Sequence, residues 1–402
     1  MDTISIKGFK GFSERVDIDL KKLTIFFGYN NSGKSALLRA IPLLSDSFKD
    51  HTSNLYTHSY LDYTSSSLRG AIHADILNEN SKDIDFEVTW QSNGISFSLR
   101  QNAHEHEFIN KLGIKKEGIT KNYLPSAQNF SEFECDGENS ISLESFFSIS
   151  DTCIREKIRR SSASVSWISS IRTSPPRSFD IGLGIKTGVN YKGEGIGETL
   201  WYIKGNCPDA FELINTWLLE TTGRKLKLDS SSIQNVNTGR ATVKLQTVDN
   251  AIESSPVDII DSGEGIAQAL PVVTLCSMAK FGLLGEAPII TIEQPELHLH
   301  PQAIVTLAEF MINIIKDKEN IKLVIETHSE SFLLAIQSAI VKREIINDDL
   351  SCYWVEKEDN VSSISNITFD DVGYIQGNWP QSVFREIIAQ SKELLQAREE
   401  RE

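Results

Sequence analysis

The stretch LTIFFGYNNSGKSALLRA at positions 23–40 restricts the fold of this chain more than any other feature. Leu23 to Phe27 is a short apolar run suited to a buried strand. Gly28-Tyr29-Asn30-Asn31-Ser32-Gly33-Lys34-Ser35 then fits G-x-x-x-x-G-K-[ST], and Ala36 to Ala40 continues as a helix former. Strand, glycine-bearing loop and helix in that order belong to an α/β fold. The spacing has a chemical reason. Gly28 and Gly33 let the backbone wrap closely, so that consecutive N–H groups from Asn30, Asn31 and Ser32 to Ala36 point at phosphate oxygens. The helix start adds partial positive charge. Lys34 neutralises the β- and γ-phosphates, and the Ser35 hydroxyl joins the shell of a Mg²⁺ ion. The expected ligand is a nucleoside triphosphate. With no N-K-x-D base-recognition motif in the chain, ATP is favoured over GTP.

Three further segments bear on the same chemistry. Pro288 to Ile292 is apolar and ends in Glu293, followed by Gln294-Pro295-Glu296 and Leu297-His298-Leu299-His300-Pro301. Such sites place an acid-ended strand beside the loop strand, and Glu293 is the expected metal carboxylate. Lys322 to Glu326 forms another apolar strand, running into Thr327-His328-Ser329. A histidine just past a strand end can hydrogen-bond a γ-phosphate or an attacking water. Finally, DSGEGIAQALPVV at 261–273 puts Ser262, Gly263 and Gly265 in a small-residue turn that opens a helix, with Gln268 one turn in. A hydroxyl and backbone amides at a helix start form an anion site, and this one is expected to serve a neighbouring subunit's nucleotide. The bland alternative is a helix cap with close packing.

Composition limits the classes open to the chain. A net charge of −15 over 402 residues argues against general coating of nucleic acid, because phosphate is repelled on average. Five scattered cysteines without a C-x-x-C pair predict reduced thiols rather than zinc or disulfides. No apolar run approaches membrane-spanning length, and the N-terminus MDTISIKGFKGF lacks a signal peptide's apolar core. A soluble cytoplasmic protein without membrane contact is the expectation.

In their order along the chain, these four segments resemble the ABC-type ATPase heads of the SMC, RecF and OLD (overcoming lysogenization defect) group. ISIKGFKGFSERVDIDL before the loop looks like the opening strands of such heads. DSGEGIAQ sits at the signature loop, ITIEQPELHLHP at the Walker B and D-loop, and ETHS at the switch histidine. A nearer likeness is to small bacterial ATPases of the AAA_15/AAA_21 type, which the segments WISSIRTSPPRSFD at 167–180 and Gly377-Asn378-Trp379-Pro380 ahead of a charged helix resemble. The fold implied is a P-loop NTPase of ABC/SMC head type, with a mixed sheet, an antiparallel β lobe and a helical insertion. The boundaries expected are 1–100 for the N-terminal part of the head, 101–165 for a polar insertion, 166–370 for the C-terminal part, and 371–402 for a helical tail. The resemblance also implies a homodimer, or a higher homo-oligomer, with ATP and Mg²⁺ sandwiched between subunits. Each site would take Gly28–Ser35, Glu293 and His328 from one chain and Ser262–Gly265 from the other.

The pattern departs from the wider group in one important place. An aspartate followed by a catalytic glutamate is replaced here by Glu293 and Gln294. Glutamine cannot accept a proton, so slow hydrolysis is expected, with Glu296 as the substitute base. No Q-loop glutamine is evident, and Gln91, in a strand-like stretch, is a poor candidate. No heptad run supports an SMC-type coiled coil. About seventy residues follow ETHS, too few for an added nuclease domain such as Toprim. The effector is therefore expected to be a separate protein such as a nuclease, in an anti-phage system resembling Septu. Two other readings stay open: a RecF-like repair ATPase that clamps DNA, or a nucleotide-locked scaffold with negligible turnover. The basic stretch Arg155, Lys157, Arg159 and Arg160, with Arg172 and Arg177, is the candidate DNA or RNA contact. His104-Glu105-His106-Glu107 reads as a solvated run rather than a metal site.

Overall fold

A computed structural model describes residues 1–49, 59–102, 106–126, 131–135, 141–143, 145–146, 149–182, 188–230, 234–235, 240–249, 255–370 and 372–377. Its centre is a seven-stranded sheet. The strand order is Val165–Ile168, Ile289–Glu293 (the acid strand), Lys322–Thr327 (the switch strand), Leu23–Gly28 (the loop strand), Leu350–Glu358, Val361–Phe369 and Ile375–Gln376. The first five run parallel, and the last two add antiparallel.

The continuous apolar runs of the sequence follow from this position. The loop strand and the acid strand are buried at every residue, as central parallel strands with both faces covered must be. The loop helix, Lys34–Ser47, covers one face beside Phe26, Ile289 and Val324. The helices Glu264–Lys280, Pro301–Lys316 and Glu330–Val341 cover the other beside Ile25, Ile290 and Ile325. The chain leaves the acid strand through Pro301–Lys316, whose Pro301 sits at a position where a missing N–H costs nothing. It returns as the switch strand, alongside the acid strand. That crossover fills the place next to the loop strand. The acid strand, expected beside the loop strand, is therefore one strand further away, and the switch strand lies between them.

An eight-stranded antiparallel sheet forms the β lobe. It begins with Thr3–Lys7 and Val16–Asp19, includes the hairpin Ile84–Trp90 and Asn93–Gln101, and continues through Glu107–Lys116 and Ile119–Pro125 to Ile141–Ser142. Gln91 is the left-handed tip residue of that hairpin. Residues 101–165 read as a polar insertion, but their described part extends this sheet. Ile109, Leu112 and Phe133 are core residues, and the helix Thr152–Ser164 buries Ile154 and Ile158. Along Glu107–Lys116 the apolar side chains are interleaved with polar ones, and a register shift at Asn110 brings both Ile109 and Leu112 to the buried face. A further antiparallel sheet pairs Arg240–Asp249 with Ser178–Ile181 and Arg224–Asp229, backed by helices Ile196–Asn206 and Pro208–Thr222. The tail helix expected at 385–402 lies outside the described residues. None of the described helices is long and apolar enough to cross a membrane.

Candidate functional site

The loop residues sit where the sequence places them. Gly28 ends the loop strand and Gly33 caps the loop helix. A Cβ on Gly28 would stand 2.1 Å from the Val355 carbonyl oxygen, so no other residue fits that close approach. Asn30 and Asn31 are exposed, whereas the Ser32 hydroxyl is buried without a partner. Lys34 is also buried. Its Nζ donates to the carbonyls of Gly28 and Tyr29, at 2.9 and 2.6 Å. Burial lowers its pKa, while the charges of Glu326 and Glu296 oppose that shift.

Two acids lie side by side under the loop helix. Glu293 and Glu326 are register partners on the acid and switch strands, so their side chains leave the sheet on the same face. The helix distributes its polar residues over them one turn apart. Ser35 Oγ donates to Glu326 Oε1 at 2.8 Å. Four residues on, Arg39 forks onto Glu293 at 2.5 and 2.8 Å. Arg69 approaches Glu293 at 3.4 Å, and both the amide and the hydroxyl of Ser170 donate to it. Burial alone would push the Glu293 carboxyl up, but Arg39, Ser170 and Arg69 hold it below the usual range. Glu326 goes the other way. Burial, then the neighbouring Glu293 charge, push it up to about 7 against the Ser35 hydrogen bond, Lys34 and Arg39.

Beyond the acid strand the chain turns sharply. Gln294 is left-handed, half-buried, and donates its N–H to the Glu326 carbonyl at 2.8 Å. That turn brings Glu296 back to the end of the switch strand. Glu296 Oε1 accepts from Thr327 Oγ1 at 2.7 Å and from the His328 amide at 3.2 Å, while its Oε2 is buried without a partner. His328 Nδ1 lies 3.8 Å from Glu296 Oε1, and its side chain is 45% exposed. Lys34, Ser35, Glu293, Glu296, Glu326 and His328 therefore surround the carboxyl ends of three parallel strands.

The Ser262–Gly265 turn is built differently from the loop. The helix that follows starts at Glu264 with Gly263 as its cap. Ser262 Oγ is engaged with Thr247 Oγ1 and the Asp258 carbonyl. A Cβ on Gly265 would come within 2.4 Å of the His298 carbonyl oxygen, so this turn packs tightly on the segment after Glu296. No hydrogen bond or ion pair among the described residues links Ser262, Gly263 or Gly265 to residues 28–36 of the same chain. The two features lie on helices that cover opposite faces of the central sheet.

The expected basic surface is not one surface. Arg172 is buried and donates to the carbonyls of Ser169, Gln268, Glu293 and Gln294. Burial pushes its guanidinium down to about 10, against the pull of Glu296 and Glu293. Arg172 thus pins the acid turn from below and is removed from any nucleic-acid contact. Arg159 and Arg160 stay exposed but both pair with Glu156, and Arg177 pairs with Asp258 and Asp261. His104 and Glu105 lie outside the described residues. Glu107 is buried and accepts hydrogen bonds from His73 and Tyr63.

Sequence reasoning missed Glu326, Arg39, Arg69 and Ser170. Glu326 carried a signal, being an acid that ends an apolar strand as Glu293 does. Arg39 carried a weaker one, its spacing of four from Ser35. Arg69 and Ser170 come from loops that only the tertiary fold brings here.

The residues fit a magnesium nucleotide in part. Ser35 beside a carboxylate with a buried, unpartnered oxygen suits an ion that takes one or two carboxylates plus phosphates and waters. Glu293, expected as that carboxylate, has both oxygens on Arg39. No three His, Cys, Asp or Glu side chains among the described residues could hold a metal by themselves.

Residues 23–335 match the profile of the AAA_21 family, described as "AAA domain, putative AbiEii toxin, Type IV TA system". No curated protein matches the sequence significantly. Among solved structures, the chain is similar to an SMC head bound to the C-terminal winged-helix domain of ScpA. The identity is 12%, with 92% of this chain and 98% of that one covered and a TM-score of 0.47. An SMC head domain from Thermotoga maritima gives 13% identity, 90% and 97% coverage and a TM-score of 0.41. An SMC head with an extended coiled coil, bound to the C-terminal domain of ScpA derived from Pyrococcus furiosus, gives 11%, 91% and 96%, and 0.48.

Proposed function

The chain belongs to the AAA_21 family, and we propose that within it the protein is a slowly hydrolysing, dimerising ATP switch. Membership already implies nucleotide binding. The observation that carries the finer reading is the convergence at the carboxyl ends of the loop, switch and acid strands, the place where open α/β sheets bind ligands. There a phosphate chain would meet the Gly28–Ser35 backbone and the Lys34 ammonium. Mg²⁺, bound with the nucleotide, would supply further charge neutralisation. Glu296 is the general base. It is held by Thr327 and the His328 amide through one oxygen, and its second oxygen has no partner. Gln294, in the usual place of that base, has no proton-accepting group. His328, half exposed at the strand end, is placed to read a γ-phosphate.

The Ser262–Gly265 turn serves the partner copy. Its position across the sheet from its own loop supports a site completed between two chains, with nucleotide as the link. A role in anti-phage defence, exercised through a separate effector such as a nuclease, is part of the same proposal and rests on the resemblance of the motif order alone. Gln294 also keeps a nucleotide-locked scaffold with negligible turnover in view.

Steady-state ATP turnover tests the reading. The protein hydrolyses ATP slowly, and Glu296→Gln lowers the rate by about 10²–10⁴-fold while nucleotide binding persists. Equal turnover in wild type and Glu296→Gln would remove Glu296 from the reaction. Binding and assembly without any turnover would establish the scaffold.

A further inference from the structure

We propose that a cavity at the amino ends of the central strands is a second nucleotide site, one that takes a nucleoside monophosphate. The cavity has a volume of about 510 Å³, within the roughly 300–1,000 Å³ of small-molecule sites. Its walls come from the helix Thr152–Ser164, the hairpin tip at Trp90 and Gln91, the first two residues, and the loop 284–287. Ala287 stands two residues before the acid strand begins. Lys322, which begins the switch strand, bonds Asp2 on the cavity wall at 2.7 Å. The Gly28–Ser35 loop lies past the other ends of the same parallel strands, so one bound molecule cannot occupy both places.

Charge defines the first part of the ligand. Lys157 is half-buried in the wall and has no ion pair among the described residues. Arg159 and Arg160, also in the wall, share one carboxylate, Glu156. Glu286 lies 3.8 Å from Arg160 with its side chain 92% exposed, so it neutralises little. Asp2, the other acid of the wall, is taken by Lys322 and the Gln91 amide. Positive charge is left over on one side of the cavity, and it suits a phosphate. The net charge of −15 opposes a long phosphate chain, whereas a single phosphate answers to the local field.

The remaining wall defines the second part. Trp90 donates its indole N–H to Ser161 Oγ at 2.9 Å, which fixes the ring in place. Leu284, Ala163 and Ala287 add apolar surface. Gln91 is exposed at the hairpin tip, and its side-chain amide, which can both donate and accept, makes no hydrogen bond among the described residues. Apolar walls with a few convergent polar groups are the pattern of a small-molecule site. A flat heterocycle with polar edges fits that part of the cavity, and a heterocycle carrying one phosphate is a nucleoside monophosphate.

Calorimetric titration of AMP without Mg²⁺ tests the proposal. Lys34→Ala, altered in the loop at the far end of the sheet, binds AMP as wild type does. Lys157→Glu reverses a charge on the cavity wall, and Ala163→Trp fills the cavity from an exposed helix position. Each lowers the AMP affinity by at least about tenfold, the scale of a lost hydrogen bond to a charged group. Both still bind AMP-PNP, a non-hydrolysable ATP analogue, with Mg²⁺ as wild type does, which shows that fold and loop are intact. Inorganic phosphate, lacking the ring, binds at least about tenfold more weakly than AMP. Absence of AMP binding in wild type overturns the proposal. So does AMP binding that is lost in Lys34→Ala and kept in Ala163→Trp, and so does phosphate bound as tightly as AMP. If the wild-type protein binds no AMP-PNP, the nucleotide reading of the loop falls, while the AMP titrations still decide the cavity with the unfolding midpoint as the control for folding.

Discussion

Lys34→Ala lowers the affinity for ATP by roughly 10- to 150-fold. The range follows from the ~1.5–3 kcal/mol that a hydrogen bond to a charged group contributes, at about tenfold per 1.4 kcal/mol. Lys34 is buried in the loop, and its ammonium already bridges two loop carbonyls, Gly28 and Tyr29. It is therefore held in place before any phosphate arrives, and little side-chain entropy is left to lose on binding. Burial lowers its pKa, which means that the charge is poorly solvated and gains from an anion more than an exposed lysine would. Lys49, half exposed and paired with Asp46 at the far end of the same helix, is the control, and Lys49→Ala leaves affinity unchanged. Calorimetry with AMP-PNP separates the two. Equal affinity in wild type and Lys34→Ala would mean that the loop does not hold phosphate.

Arg172→Ala destabilises the ligand-free protein by about 3 kcal/mol or more. The guanidinium is the hub on which three segments meet. It binds the Ser169 carbonyl beside its own strand, the Gln268 carbonyl in the helix after the Ser262–Gly265 turn, and the Glu293 and Gln294 carbonyls at the acid turn. Alanine leaves these buried acceptors without their donor and opens a void where the side chain lay. The acid turn keeps the Gln294 N–H bond to the Glu326 carbonyl, and Glu296 keeps its bonds from Thr327 and the His328 amide, so the loss falls on the packing of the three segments rather than on Glu296 alone. Urea unfolding measures the effect. Arg159→Ala, which removes only a solvent-exposed ion pair with Glu156, leaves the unfolding midpoint essentially unchanged. A similarly small change for Arg172→Ala would contradict the role assigned to it.

Arg172 also shows why part of the site was hidden in the sequence. In one dimension it is another cation in a basic stretch with Arg155, Arg159, Arg160 and Arg177. What separates it is the strand Val165–Ile168, which carries the following residues inward beside the acid strand. The loop, the acid strand, the switch strand and the turn at Ser262–Gly265 were legible because each concentrates its chemistry within a few consecutive residues. Parallel register was not. Nothing local says that Glu293 and Glu326 become neighbours, or that Pro301–Lys316 returns the chain between the acid and loop strands. The expectation that the acid strand lies directly beside the loop strand failed for that reason. The β lobe past residue 101 was obscured differently. Its outward positions are polar, and a bulge at Asn110 breaks the alternation, so Ile109 and Leu112, three residues apart, both reach the core.

The most direct test of the switch is the mass of the protein in solution, by light scattering, with and without Mg²⁺ and AMP-PNP. The chain of 45.0 kDa is expected to assemble into dimers or larger homo-oligomers when nucleotide saturates the loop, and to separate when it is removed. Lys34→Ala should stay unassembled under both conditions. An unchanged mass at saturating nucleotide would contradict the account, because the Ser262–Gly265 turn would then have no second chain's phosphate to meet.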